Sequence, residues 1–226
     1  MRKWTGAILA AAVLSAAPHG VYAQKADPAE TNMEGSYWKH KTSQFRTLPN
    51  PVGEICFLGD SITDGCEWRE LTGCNRVTNR GIGGDTAWGL MARIDEVTEG
   101  KPAKVFLMIG TNDLAWGGKE PPEVADRIAD VLDAIRRDSP GTTVYLQSVL
   151  PVIDGRVKKF ENRKITALNK LLKPLAARKG ATWVNLVPFF RDDESGQLKK
   201  NYTEDGLHLT GEAYYQWLSV IRGYLP

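Results

Sequence analysis

Ser61 is the residue of this chain best placed for nucleophilic chemistry. It lies in Gly59-Asp60-Ser61-Ile62-Thr63-Asp64-Gly65, after the run Glu54-Ile55-Cys56-Phe57-Leu58 that reads as a buried strand. A stretch of helical composition follows, from Cys66 to Leu71. Ligands of open α/β sheets bind at strand C-termini, where helix N-termini add positive potential. The same Ser and Asp would equally serve as a helix cap. A nucleophilic serine needs a base, an orienter for that base, and donors for an oxyanion. Of the three histidines, His19 falls in an apolar leader and His40 in an N-terminal amphipathic stretch. That leaves His208, in Asp205-Gly206-Leu207-His208-Leu209-Thr210-Gly211. Asp205 can reach the imidazole Nδ1–H within a turn and hold Nε2 toward the serine. Taken alone, that pair also reads as a local capping contact. Gly84, in Asn79-Arg80-Gly81-Ile82-Gly83-Gly84-Asp85-Thr86, lets backbone approach a ligand and point an N–H at an anion. Asn112, in Gly110-Thr111-Asn112-Asp113, offers a side-chain N–H to the same place.

The elements around these residues alternate. Strands are expected at Ile55–Leu58, Val77–Ile82, Val105–Ile109, Val144–Val149 and Trp183–Leu186, and helices at Trp88–Val97, Pro121–Arg137, Phe160–Arg178 and Gly211–Tyr224. The helix from Pro121 has the clearest signals: Pro121-Pro122 opens it, Val124, Ile128, Val131, Leu132 and Ile135 recur at helical spacing, and Pro140-Gly141 ends it. Strand–helix alternation with near-continuous apolar strands indicates a parallel sheet covered on both faces. The expected architecture is a three-layer α/β/α sandwich, flavodoxin-like, with five parallel strands. Ser61, Gly84 and Asn112 then arrive at one sheet edge from three successive loops. Ser36 to Leu48, with Tyr37, Trp38 and Phe45, reads as a short amphipathic helix packing onto the domain, stopped by Pro49-Asn50-Pro51.

Net charge is +2, from 29 basic and 27 acidic residues without a basic stripe, so nothing points to nucleic acid. Met1-Arg2-Lys3, an apolar Ala7–Ala17 segment and Val21-Tyr22-Ala23 form a signal-peptide pattern with cleavage after Ala23. The apolar run is too short for a comfortable membrane span. The organisation expected is a signal peptide over 1–23, a linker and short helix over 24–52, and one domain over 53–226, secreted or periplasmic. Cys56 reads as a buried thiol, whereas Cys66 and Cys74 are close enough in sequence for a small disulfide loop or for two free thiols. Asp60, Asp64, Asp85 and Asp113 suggest magnesium on composition, but no phosphate-loop lysine accompanies them and capping accounts for most. No metal or organic cofactor is expected.

Gly59-Asp60-Ser61, Gly84, Asn112 within Gly110-Thr111-Asn112-Asp113, and Asp205-x-x-His208 resemble, in order, the four blocks of the SGNH (GDSL-type) hydrolases. The resemblance runs from about Gly53 to Ile221. It departs slightly at Ile62, where the older motif name has leucine, and Thr63 replaces the second glycine of a G-x-S-x-G elbow. The resemblance implies Ser61 as nucleophile, His208 as base and Asp205 as orienter. It further implies an oxyanion hole of the Ser61 and Gly84 N–H groups and the Asn112 side chain. Phe57-Leu58-Gly59-Asp60-Ser61 and the Asn79–Thr86 and Asp205–Thr210 segments look like the platelet-activating-factor acetylhydrolase-like branch. That branch removes short acyl groups and includes proteins similar to sialate and other carbohydrate O-acetylesterases.

An exported carbohydrate O-acetylesterase, with O-acetylated sialic acid among its substrates, is the leading expectation. A lysophospholipase or arylesterase acting on lipid or small esters is the alternative, and a non-catalytic glycan-binding module the third. Trp88 and Trp116 would suit a sugar ring, and Arg80 or Arg156 an acidic sugar's carboxylate. The expected partner is a small-molecule or glycan ester, without stable membrane insertion. Oligomeric state has no signal in the sequence.

Overall fold

The computed structural model describes residues 31–226. The leader expected over 1–23, with His19, lies outside the described residues. Helix α1 (Ser36–Thr47) precedes strand β1 (Ile55–Gly59), after which come α2 (Ser61–Asp64), α3 (Trp68–Thr72) and β2 (Val77–Gly81). Next are α4 (Ala87–Ala92), α5 (Ile94–Thr98), β3 (Lys104–Met108), α6 (Thr111–Ala115) and α7 (Pro121–Asp138). The chain ends with β4 (Thr143–Gln147), α8 (Asn162–Arg178), β5 (Thr182–Val184), α9 (Val187–Phe190) and α10 (Gly211–Ile221).

The five strands form one parallel sheet in the order β2-β1-β3-β4-β5. The order reverses between β1 and β3, so the loops leaving those strands diverge and open a crevice at their C-terminal ends. This is the expected three-layer α/β/α sandwich. Phe57, Phe106 and Tyr145 occupy matched positions on β1, β3 and β4 and stack at 4.9 and 4.6 Å between ring centroids. Trp68 of α3 stacks on Phe57 at 3.9 Å, and Trp217 of α10 meets Trp68 edge-on. That aromatic row therefore seats α3 and α10 on one face. The opposite parity, Leu58, Leu107 and Leu146, is fully buried on the other face, which α4, α5, α7 and α8 cover. Burying each such leucine is worth roughly 1.5–3 kcal/mol. Among the described residues no helix is long and apolar enough to cross a membrane.

One helix differs from expectation. Trp88–Val97 is broken at Arg93, whose φ is −128°. The cause is electrostatic. Arg93 is completely buried, and its guanidinium pairs with Asp85 (2.8 Å) and Glu96 (2.7 Å) and donates to the Arg80 carbonyl (2.9 Å). A straight helix would have to give up that convergence. The three cysteines are all free thiols, and burial pushes Cys56 and Cys66 up to about 12.

Candidate active site

The β1 strand ends in Gly59, where an added Cβ would lie 2.3 Å from the Met108 carbonyl oxygen and from Thr63 Oγ1. Only glycine lets the chain turn so tightly against β3. Asp60 then caps α2, its side chain accepting the Ile62 N–H at 2.9 Å, so the capping reading holds at Asp60 and does not compete with a nucleophilic role for Ser61. The cap falls on Asp60, and Ser61, the first helical residue, keeps its hydroxyl for other partners. From α10, the Tyr214 hydroxyl donates to the Ile62 carbonyl at 2.8 Å and fixes the turn from behind.

His208 Nε2 lies 2.9 Å from Ser61 Oγ, and His208 Nδ1 lies 2.6 Å from Asp205 Oδ2. Asp205 Oδ1 meanwhile accepts the Leu207 and His208 N–H groups, both at 2.8 Å. Partial burial works to raise the Asp205 pKa, but the His208 imidazole and these two N–H groups outweigh it and hold it at about 2. An ionised carboxylate only accepts, so Nδ1 carries the proton and Nε2 presents its lone pair to the serine hydroxyl. The arrangement can move a proton from Ser61 to His208 while Asp205 stays charged.

Gly84 adopts φ +75°, in the left-handed region, within the loop after β2. Asn112, buried in the first turn of α6, donates one Nδ2 proton to the Asp85 carbonyl at 2.9 Å. Its second Nδ2 proton remains for a ligand. Beneath these loops sit three buried aspartates. Asp113 Oδ1 accepts the Ala87 N–H at 2.9 Å, and Asp85 accepts from Trp38 Nε1 and the Thr86 N–H as well as pairing with Arg93. Burial, reinforced by their mutual repulsion, pushes Asp60 and Asp113 up to about 7. Asp64 binds Tyr37, Lys41 and the Gly83 N–H. Among the described residues no group of three or more His, Cys, Asp or Glu side chains could hold a metal ion.

The four residues proposed from sequence to contact substrate divide. Arg80 is a correction: it is 5% exposed, lies within ion-pair reach of Glu54 (3.8 Å) and Glu96 (3.4 Å), and packs its guanidinium over Phe45. Buried carboxylates, not a sugar acid, hold it. Trp88 is half-buried, with Lys119 and Arg127 each 4.9 Å from its ring centroid, and serves the packing of α4 on α7. Trp116 is 54% exposed at the end of α6, edge-on to Phe160 and with Lys159 Nζ 4.8 Å from its ring centroid. Arg156 is exposed, and its stem lies against Gly206, inside the Asp205–His208 turn. His40 is exposed on α1 and takes no part in the cluster.

Asp64, Tyr37 and Trp38 were not anticipated at the site. Their signal in the sequence was weak: Asp64 is the second of two acids in the serine block and reads as a cap, and the two aromatics lie on a helix that reads as packing.

The GDSL-like Lipase/Acylhydrolase family model matches residues 57–215. The chain is 28% identical over 177 residues to an N-acylneuraminate cytidylyltransferase of Escherichia coli, covering 77% of this chain but only 41% of that protein. It is 28% identical over 167 residues to the platelet-activating factor acetylhydrolase IB subunit alpha2 of Gallus gallus, covering 71% of each. A solved structure from Streptococcus pneumonia, described as a candidate platelet activating factor, superposes with a TM-score of 0.76 at 30% identity, over 84% of this chain and 93% of that one. With the family match spanning most of its length and the fold shared, this chain belongs to the GDSL-like lipase/acylhydrolase family and is a carboxylic ester hydrolase.

Proposed function

We propose that the protein is an exported serine esterase that removes short acyl groups, acetyl foremost, from carbohydrate esters. The observation that carries the catalytic part is the relay Ser61 Oγ to His208 Nε2 at 2.9 Å and His208 Nδ1 to Asp205 at 2.6 Å. Ser61 attacks the ester carbonyl as its proton passes to His208 Nε2. The oxyanion is met by the Ser61 and Gly84 N–H groups and the free Nδ2 proton of Asn112. The C–O bond to the alcohol breaks, and the alcohol oxygen takes the proton from His208. Water then attacks the acyl-serine, giving its proton to His208, and the carboxylic acid leaves as Ser61 recovers its hydrogen.

The short-acyl preference is supported by the name of the Gallus gallus relative, an acetylhydrolase. The carbohydrate reading is supported by the neuraminate relative and by the exposed Trp116, which stands edge-on to the buried Phe160, with Lys159 and Arg156 nearby in sequence as cations for an acidic sugar. Export is supported by the Met1–Ala23 pattern. The test is acetate release from O-acetylated sialic acid, O-acetylated xylan and acetylated monosaccharides, with Ser61→Ala as control. Release from one glycan, abolished in the variant, supports the reading. Turnover of p-nitrophenyl acetate and longer-chain esters without glycan release moves the substrate to lipid or small esters.

A further inference from the structure

Helix α1 lies outside the segment matched by the family model, which begins at residue 57. Its first turn nevertheless touches both loops that flank Ser61. The Tyr37 hydroxyl donates to Asp64 Oδ2 at 2.6 Å, and the Gly83 N–H donates to that same oxygen at 3.0 Å. Lys41 Nζ holds the other oxygen of Asp64 at 2.7 Å. Asp64 closes the serine turn, so its carboxylate bridges that turn to the Gly83–Gly84 loop. One residue along, Trp38 Nε1 donates to Asp85 Oδ1 at 3.1 Å. The Asp85 carbonyl is the acceptor that orients the Asn112 amide.

Gly83 and Asp85 bracket Gly84. The direction of the Gly84 N–H is set by the peptide joining it to Gly83, and that residue is tied through Asp64 to Tyr37. The direction of the free Asn112 proton is set by the Asp85 carbonyl, and the Asp85 side chain is tied to Trp38. Two consecutive side chains of α1 therefore control the two donors that do not belong to the serine itself. The helix is fastened below by Phe45, buried with the Arg80 and Arg93 guanidinium groups 5.0 and 5.8 Å from its ring centroid. Gly83 also packs closely under the strap, since a Cβ there would lie 3.2 Å from the Tyr37 ring.

We propose that Tyr37 and Trp38 are positioning residues that hold the oxyanion loop in register, α1 acting as a strap on the catalytic machinery. This rests on the assignment of Gly84 and Asn112 as oxyanion donors. Donors act on the transition state more than on bound substrate, so loosening them lowers kcat and spares KM.

The test compares Tyr37→Phe, Trp38→Phe, their double variant, Asn112→Ala, and Trp38→Phe/Asn112→Ala. It measures kcat and KM on p-nitrophenyl acetate and the rate of inactivation by a fluorophosphonate, well below each Tm. Lys39→Ala, which removes only an exposed pair with Glu34, is the control on the same helix. The Phe double variant should lose about tenfold in kcat with KM within about twofold, less than direct loss of a donor, and should be inactivated more slowly. Trp38→Phe added to Asn112→Ala should cost almost nothing further, because both act through one donor. A folded Phe double variant with unchanged kcat and a lowered Tm, beside a slow Asn112→Ala, would overturn the positioning role alone. An Asn112→Ala enzyme of full kcat would overturn the oxyanion assignment and this proposal with it.

Discussion

Asn112→Ala is the substitution whose two consequences can be worked separately. The amide has two protons, one committed to the Asp85 carbonyl at 2.9 Å and the other, on the proposed mechanism, meeting the oxyanion. Alanine removes both. Loss of one oxyanion donor typically costs about 2.7–4 kcal/mol in the transition state, or about 100- to 1000-fold in kcat. The Ser61 and Gly84 N–H groups remain, so activity should fall to a measurable floor. KM should move little, because the ground-state carbonyl carries little of the charge the donor meets. The Asp85 carbonyl loses its buried partner, at about 1–3 kcal/mol of stability. For a chain of this size each kcal/mol is about 2–4 °C in Tm, so the melting curve should shift down by roughly 2–12 °C. Asn112→Asp should be at least as slow, since a carboxylate repels both the Asp85 carbonyl and the oxyanion. Steady-state rates on p-nitrophenyl acetate, with melting curves, separate the two effects. A folded Asn112→Ala enzyme whose change lies in KM, with kcat within about threefold of the parent, would refute the reasoning.

Arg93→Ala should strand Asp85 and Glu96 as buried charges and destabilise by about 3–5 kcal/mol, which urea unfolding would read; a loss below about 1 kcal/mol would contradict the ion-pair account. Asp60 and Asp113, raised to about 7, retain protons in the folded state that the unfolded chain releases near pH 4. Stability should therefore fall as pH rises from about 4 to about 7. Asp113→Asn should flatten that slope of Tm against pH, and an unchanged slope would assign it elsewhere. Arg80→Ala should lower Tm while leaving KM for acidic and neutral acetylated sugars in the same ratio; a selective rise for the acidic sugar would return Arg80 to the substrate.

The centre of the sheet was legible because β1 and β3, buried on both faces, are nearly continuous apolar runs, whereas the edge strands β2 and β5 are shorter on apolar residues; each of the five is observed within two residues of its expected ends. The helix from Pro121 was legible because its caps and its apolar stripe agree. Trp88–Val97 was misread as continuous because periodicity is local, whereas the break at Arg93 answers to Asp85 and to the Arg80 carbonyl on β2. Arg80 was misassigned for a related reason. Its partners, Glu54 and Glu96, are distant in sequence, so nothing local distinguishes a buried guanidinium from an exposed one. Ser61, Asp205 and His208 could be named from residue types and order, and the structure brings them within hydrogen-bond distance. The bridging carboxylate of Asp64 could not be named, because its significance comes only from Tyr37 and Gly83 meeting on one oxygen.

The central claim is that Ser61 carries the acyl group between the two half-reactions. The direct measurement is intact-protein mass spectrometry of enzyme acid-quenched during turnover of p-nitrophenyl acetate, with peptide mapping of any adduct. The account predicts a single acetyl group on Ser61, absent from Ser61→Ala and accumulating when deacylation is slowed. Undiminished turnover by Ser61→Ala, or an acetyl group mapped to another residue that forms and decays at the rate of turnover, would contradict it.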